Sequence, residues 1–174
     1  MTLFLRPVLA VLLLLAAWSL AVPMAAMGQA TGVALSGLKQ DPGLPVEIGA
    51  DQLSIDQTTG TATFSGNVVI VQGAMKLSAA SVVVEYLKGE GGATGKINRL
   101  IASGDVLLVT ATEAAEAAEA IYSVATGEIV MTGNVVLTQG ANALSGQKLV
   151  VNLKDGTARV EGRVTTTLQT GTTP

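Results

Sequence analysis

Carboxylates are the side chains of this chain with the greatest capacity for catalysis, because its 174 residues include no histidine and no cysteine. Without these two residue types it has no imidazole base, no thiolate nucleophile, no disulfide and no sulfur or imidazole metal ligand. The carboxylates are scattered, and their spacing matches neither an acid/base couple nor a calcium loop. They include Asp51, Asp56, Glu85, Asp105, Glu128, Asp155 and Glu161. We therefore expect a protein that is not an enzyme and that binds neither a metal nor a cofactor.

An alanine- and glutamate-rich run at residues 113–120 is the one segment with strong helix propensity. Its local sequence is as compatible with a surface helix as with a strand. The run nevertheless occupies a position where the repeat described below requires a strand. We predict that this tertiary context overrides the helix propensity and that the run forms a strand. Glu113, Glu116 and Glu119 are then expected to form a solvated face.

The chain begins with an apolar N-terminal segment. Arg6 precedes an uninterrupted apolar run at residues 8–15, and Pro23 and several small residues come after it. This order predicts a cleaved signal peptide over residues 1–30 and hence export. An uncleaved membrane anchor is the alternative, because residues 8–27 carry no charge and could nearly span a bilayer.

The rest of the chain divides by composition into three parts. Residues 31–45 are rich in glycine and proline and lack periodicity, which predicts a flexible leader. Residues 46–168 contain short runs of Val, Thr, Ile and Ala between glycines, which predicts an all-β domain of many antiparallel strands. Residues 169–174 are predicted to be a disordered tail. The net charge of −3 argues against binding to nucleic acid.

An internal repeat is the strongest pattern in the sequence. A motif of Ser or Thr, Gly, Asn or Asp, and Val begins at Ser65, Ser103 and Thr132, and a degenerate fourth copy begins at Glu161. A shift of 67 residues places residues 64–86 on residues 131–153 with 11 of 23 positions identical. Such repetition predicts one supersecondary unit stacked on itself around a shared core, with a bulge or bend at each motif glycine.

The strand period of two places one set of side chains from the repeats on a common apolar face. The shortage of aromatic residues to fill a core favours an aliphatic groove at this face, and the family resemblance given below implies that the groove holds acyl chains. An ordinary closed core would show the same pattern, and the sequence does not separate the two. The predicted groove residues are Phe64, Val68, Ile70, Val82, Val84, Tyr86, Met131, Val135, Leu137, Leu149, Val151 and Leu153.

The two ends of such a sheet are predicted to pair with partners. An antiparallel sheet that does not close has edge strands with unpaired backbone groups, which can accept a partner's strand. Because the two ends of the sheet differ, pairing of one end with the opposite end of another copy predicts head-to-tail self-association. The predicted partner-binding edge residues are Val46, Ile48, Leu53, Ile55, Val160, Val164 and Leu168.

Several of these motifs together resemble the OstA-like family of periplasmic lipopolysaccharide export proteins. The resemblance covers residues 46–168 and rests on Ala50-Asp51-Gln52, residues 64–68 with Gln72-Gly73, residues 132–135 and residues 163–166. It implies an elongated, twisted antiparallel β-jellyroll in the periplasm, whose interior shields the acyl chains of lipid A. It also implies head-to-tail stacking between an LptC-like inner-membrane protein and an LptD-like outer-membrane protein.

Two alternatives remain open on the sequence alone. One is an LptC-like adaptor of the same system that keeps its N-terminal segment as a membrane anchor. The other is a structural, self-assembling β-solenoid that has no ligand.

Overall fold

Strands make up almost all of the computed structural model, which describes residues 31–34, 36–89 and 92–169. The predicted signal peptide and the last five residues of the predicted tail lie outside these ranges. Within them, no helix is long and apolar enough to cross a membrane. The strands are β1 Thr31–Ala34, β2 Glu47–Gly49, β3 Gln52–Asp56, β4 Thr61–Gln72, β5 Met75–Gly89, β6 Gly92–Val109, β7 Glu113–Ser123, β8 Glu128–Gln139, β9 Asn142–Asn152, β10 Thr157–Glu161 and β11 Thr165–Thr167. A 3₁₀ turn at Ser36–Leu38 follows β1.

The described strands form one antiparallel sheet of eleven strands. Its order is β1-β10-β9-β8-β7-β6-β5-β4-β2, with β3 paired to β4 and β11 paired to β9. From β4 to β10, each strand therefore pairs with the strand that follows it in the chain. This order confirms the predicted all-β antiparallel class. It also places the alanine–glutamate run in β7, so the predicted strand is correct and the helix does not form.

A two-residue left-handed step interrupts the strands at every copy of the repeated motif. Gly66 and Asn67 have φ angles of 77° and 47°, and Gly133 and Asn134 have 87° and 51°. Both residues of the pairs that begin at Gly104 and Gly162 also have positive φ angles. Asn and Asp tolerate this region better than most residues, and glycine adopts it without steric cost. The register between neighbouring strands shifts at each of the first three copies, which confirms the predicted bulges.

These bulges lie in line across the sheet and divide it into two halves. Half A contains β3, β10 and the parts of β4, β6 and β8 before the bulge, with the parts of β5, β7 and β9 that pair with them. Half B contains β2, β11 and the remaining parts of the long strands. Inward side chains from both halves join a single buried cluster, so the sheet is folded along the bulge line with its apolar faces together. The tip turns of half A and half B meet on the side opposite the bulges, and we call this meeting line the seam.

The stretch predicted as a flexible leader lies against this folded sheet. β1 pairs with β10 over four residues, from Thr31 with Val160 to Ala34 with Thr157. Farther along, Leu38 is only 2% exposed, and the backbone N–H of Gln40 donates to the carbonyl of Leu153 at 2.8 Å. Residues 31–34 and 36–45 are therefore packed onto the domain that was predicted to begin at residue 46.

The motif glycines can be tested by adding a single methyl group at Gly133. The φ angle of 87° is unfavourable for alanine, and a Cβ at this position would lie 2.7 Å from the Cβ of Ala118. We expect Gly133→Ala to lower the free energy of unfolding by about 1–3 kcal/mol, measured by urea denaturation. The control is Gly49→Ala, where a Cβ would meet nothing within 4 Å. Equal stability of the two variants would contradict the proposed role of the left-handed step.

Candidate functional site

The interior between the two halves contains the residues predicted to line a groove. Ten of the twelve are buried, with exposed fractions of 2% or less. Phe64 and Tyr86 are partly buried and pack against the same cluster. The structure therefore brings the whole predicted set together on one surface. The buried ten are Val68, Ile70, Val82, Val84, Met131, Val135, Leu137, Leu149, Val151 and Leu153.

This interior is almost entirely aliphatic among the described residues. Tyr122 is the one aromatic side chain in its fully buried part, and the other members are Leu, Ile, Val, Met and Ala. Such a surface can contribute hydrophobic contacts but no directional recognition, because it presents few hydrogen-bonding groups. The chemistry it supports is the shielding of apolar chains from water.

Three polar side chains are buried in this aliphatic interior, and the sequence analysis did not predict their burial. They are Gln72, Thr110 and Glu113, with exposed fractions of 1%, 8% and 4%. All three lie at tip turns of half B, next to the seam. The hydroxyl of Tyr122, near the tip of half A, donates to Oε1 of Gln72 at 2.7 Å and so joins the two halves directly.

Glu113 is the most heavily hydrogen-bonded of these groups. Its Oε2 accepts from the hydroxyls of Thr110 at 2.6 Å and Thr112 at 2.7 Å. Its Oε1 accepts from the backbone N–H of Gly37 at 3.4 Å and from Nε2 of Gln139 at 3.3 Å. Burial acts to raise the pKa of the Glu113 carboxyl, but the four donors outweigh it and hold the pKa below the ordinary value of 4.5. The site therefore favours the ionised carboxylate without a cation beside it.

The prediction of a solvated face for the three glutamates is correct for Glu116 and Glu119 and wrong for Glu113. Strand alternation puts Glu113 and Glu116 on opposite faces, and the register shift between Glu116 and Glu119 returns Glu119 to the exposed face. The threonines at 110 and 112 were the available signal, since their hydroxyls lie close enough in sequence to satisfy a buried carboxylate.

Residues Gly37–Leu44, which we call the strap, lie along the seam and contact both halves. On half B, Nε2 of Gln72 donates to the carbonyls of Pro42 at 3.1 Å and Leu44 at 2.9 Å. On half A, the N–H of Gln40 donates to Leu153, and a Cβ on Gly127 would lie 3.2 Å from Cγ of Pro42. The strap thus covers the line where the two halves would otherwise separate.

The predicted edge residues have different environments at the two ends of the sheet. At the β2–β3 end, Leu53 and Ile55 are 51% and 66% exposed, whereas Val46 and Ile48 pack partly against the core. At the other end, Leu168 is 65% exposed and Val164 packs partly against the core. Val160 is fully buried, and its strand β10 lies between β9 and β1. While β1 is in place, Val160 is not at an open edge.

Two of the other carboxylates have clear structural partners. Asp56 accepts from the backbone of Thr58 and Thr59 in the turn before β4, and hydrogen bonds from Thr59 lower its pKa. Glu85 forms a surface ion pair with Arg99 at 2.7 Å. No group of three carboxylates in the part of the chain that the structure describes is arranged to hold a metal ion.

Comparison with known proteins places this architecture in a family. The family model described as "LptA/(LptD N-terminal domain) LPS transport protein" matches residues 47–157. The chain belongs to this family. The matched range begins at β2 and ends at the start of β10, so it includes all of the long bulged strands.

Relatives agree with the assignment at the level of sequence. The chain is 33% identical over 150 residues to an uncharacterized protein of Rhizobium meliloti, covering 82% of this chain and 81% of that protein. It is 29% identical over 123 residues to the lipopolysaccharide export system protein LptA of Escherichia coli K12. The second alignment covers 66% of this chain and 63% of LptA, so the chain spans less than two thirds of that relative.

A solved structure agrees at the level of fold. LptH is described as the LptA homologous periplasmic component of the lipopolysaccharide transport device of Pseudomonas aeruginosa. It matches with a TM-score of 0.63 at 19% identity, covering 75% of this chain and 99% of LptH. The sequence resemblance and the predicted β-jellyroll are therefore both confirmed.

Removal of the buried carboxylate should destabilise the fold. Glu113→Ala leaves the buried hydroxyl of Thr110, and also Thr112 and the Gly37 N–H, without their acceptor. We expect a loss of about 1–3 kcal/mol in the free energy of unfolding, measured by urea denaturation. Glu116→Ala, on the exposed face of the same strand, is the control and should change stability by less than about 0.5 kcal/mol. A Glu113→Ala variant as stable as this control would contradict the network.

The same carboxylate predicts a pH dependence with a definite sign. Because the pKa of Glu113 is lower in the folded than in the unfolded chain, its ionised form adds stability above the unfolded value of about 4.5. This contribution is lost as the pH falls through the folded-state pKa. The difference in unfolding free energy between wild type and Glu113→Gln should therefore shrink as the pH is lowered from about 7 to about 3. A difference that stays constant over this interval would be inconsistent with a depressed pKa.

Proposed function

We propose that this protein is a periplasmic, non-enzymatic carrier of lipopolysaccharide, which shields lipid A acyl chains between the two halves of its sheet. The single observation that carries the proposal is the aliphatic interior, which continues through every long strand from β4 to β9. Membership in a family of lipopolysaccharide transport proteins supplies the ligand class.

The energetics of such an interior suit a carrier rather than a selective receptor. Each methylene group that leaves water contributes about 0.8 kcal/mol, whatever the rest of the lipid looks like. The interior side chains are closely packed, with Val82, Val84 and Val151 fully buried. A lipid chain would therefore enter by separating the two halves, and it would replace contacts between aliphatic side chains with contacts of the same kind.

Transfer across the periplasm would use the two ends of the sheet. The exposed backbone edge and side chains of β3, including Leu53 and Ile55, are suited to pair with a strand of another molecule. At the opposite end β11 offers a short edge, and β10 offers a longer one if β1 leaves it. Such unlike ends support head-to-tail stacking of copies of this chain, and attachment of the stack to LptC-like and LptD-like proteins. We retain residues 46–168 as the β domain of this carrier, with the strap packed on it.

Export by a cleaved signal peptide is part of the proposal. An LptC-like adaptor with the same β domain would keep residues 8–27 as an anchor. N-terminal sequencing of the protein recovered from cells distinguishes the two, because a chain that begins near Thr31 supports the carrier and one that begins at Met1 supports the adaptor.

Lipid in the interior can be detected by photo-crosslinking in cells. A photo-reactive phenylalanine analogue at Phe64 or Tyr86, where an aromatic ring is already accommodated, should label lipopolysaccharide. The matched control is the same analogue at Glu85, which precedes Tyr86 in β5 and points to the other face of the sheet. We expect labelling from the interior positions at least about tenfold above that from Glu85, because only the interior would shield acyl chains from water. Equal labelling from both faces would overturn the groove, and assembly without any lipid would favour a structural β-solenoid.

A further inference from the structure

The strap is the one part of the fold that holds the two halves together at the seam by crossing from one to the other repeatedly. In chain order, Gly37 contacts Glu113 on half B, Gln40 contacts Leu153 on half A, and Pro42 lies against Gly127 on half A. Gln72 on half B then binds the carbonyls of Pro42 and Leu44. A segment with contacts that alternate in this way cannot stay bound to both halves when the seam widens.

The contacts of the strap differ in kind from those of the bulge line. On the bulge side the halves are joined by continuous strands, so separation there would require breaking the backbone ladder. On the seam side no described strand runs from one half to the other, and the halves are joined by their shared aliphatic core, by a few hydrogen bonds and by the side chain of Leu38. Opening there breaks hydrogen bonds of little net free energy and exchanges aliphatic side-chain contacts for contacts with acyl chains, whereas opening at the bulge line would also break strand pairing.

Glycine at position 37 is required by the closeness of this contact. A Cβ built there would overlap Oε2 of Glu113 and Oγ1 of Thr112. The carboxylate and the strap backbone therefore meet without an intervening side chain. The two buried polar groups that bind the strap, Glu113 and Gln72, are two of the three polar exceptions in an otherwise aliphatic interior, and the third, Thr110, donates to Glu113. Their burial is accounted for by the strap.

We propose that the strap is a displaceable lid on the acyl-chain interior, held closed by Glu113 and Gln72, and that apolar chains enter and leave through the seam when it lifts. This inference rests on the proposed function, since it concerns access to the same interior. Entry from the side lets an acyl chain slide between the halves while a polar headgroup stays in water. Entry along the length of the sheet would instead require a chain to pass every strand in turn.

A disulfide that locks the strap tests this directly. Because a Cβ on Gly37 would overlap Oγ1 of Thr112, which is one bond from Cβ of Thr112, the two Cβ atoms would lie at most about 3.5 Å apart. This is the short end of the roughly 3.5–4.5 Å that a disulfide spans, so a small outward shift of the strap is enough to form the bond. The natural chain has no cysteine, so Gly37→Cys with Thr112→Cys forms a single defined pair. The probe is dansyl-labelled undecanoic acid, whose fluorescence rises on transfer from water to an apolar site. Stopped-flow mixing gives its rate of uptake.

We expect the oxidised double variant to take up the probe at least about tenfold more slowly than the same protein after reduction. The control for disulfides in general is Val83→Cys with Ile101→Cys, a directly opposed pair on β5 and β6 within half A. Its uptake rate should be the same in both redox states. If the strap disulfide also leaves the rate unchanged, the lid is overturned.

A second variant changes the rate in the opposite direction and does not depend on a disulfide. In Gly37→Ala the new methyl group meets the Thr112 hydroxyl and the Glu113 carboxylate, and these side chains must shift from the strap. Uptake should become about fivefold faster, the factor that corresponds to the loss of one hydrogen bond. Gly49→Ala, which meets no neighbour, should leave the rate at the wild-type value. Uptake by Gly37→Ala no faster than by this control overturns the lid.

Failure of the lid and failure of the proposed function give different results. If wild type and the reduced variant do not bind the probe at all, the acyl-chain interior is wrong and the lid falls with it. If both bind but the locked form takes up the probe equally fast, only the lid is wrong.

Discussion

The left-handed glycine–asparagine step is the constraint on which the rest of the architecture depends. An antiparallel sheet of this many strands would normally continue to twist as an open surface. Here Gly66-Asn67 and its later copies place two positive φ angles in the same row of successive strands. The sheet folds along this bulge line, and the apolar faces of the two halves pack together. The interior, the seam and the strap that covers it all follow from the position of that line.

As a result, different interactions join the two halves on opposite sides of the molecule. Continuous strands and their backbone ladders hold the bulge side, whereas polar side chains at tip turns hold the seam. Gln72 shows the difference, because it accepts from Tyr122 on half A and donates to the strap. A buried polar group that binds two movable elements costs little when satisfied, but it leaves unpaired donors and acceptors when either element moves. The seam is thus closed by groups that water can replace.

The sequence predicted what depends on periodicity and missed what depends on distant contacts. The motif glycines and the alternation in residues 64–86 were sufficient for the bulges, the common interior and the fold class, because both patterns are local. The same repeat correctly overrode helix propensity at β7. Residues 31–45 carry no period, and their placement is set by Gln72, Glu113 and Leu153, which no local pattern connects to them. Val160 was expected at an edge for the same reason, since the strand that covers it lies at the other end of the chain.

The chain order of the strap has a consequence for how the protein folds after export. From β4 to β10 each strand pairs with its sequence neighbour, so the sheet can assemble by successive hairpins with low contact order. Pairing of β1 with β10 joins the first described strand to the tenth, and among the described pairings it carries the largest loop-closure entropy. Contact order therefore favours docking of β1 after the sheet from β4 to β10 has assembled. Until β1 docks, β10 presents an unpaired backbone edge, which can pair with a strand of another chain.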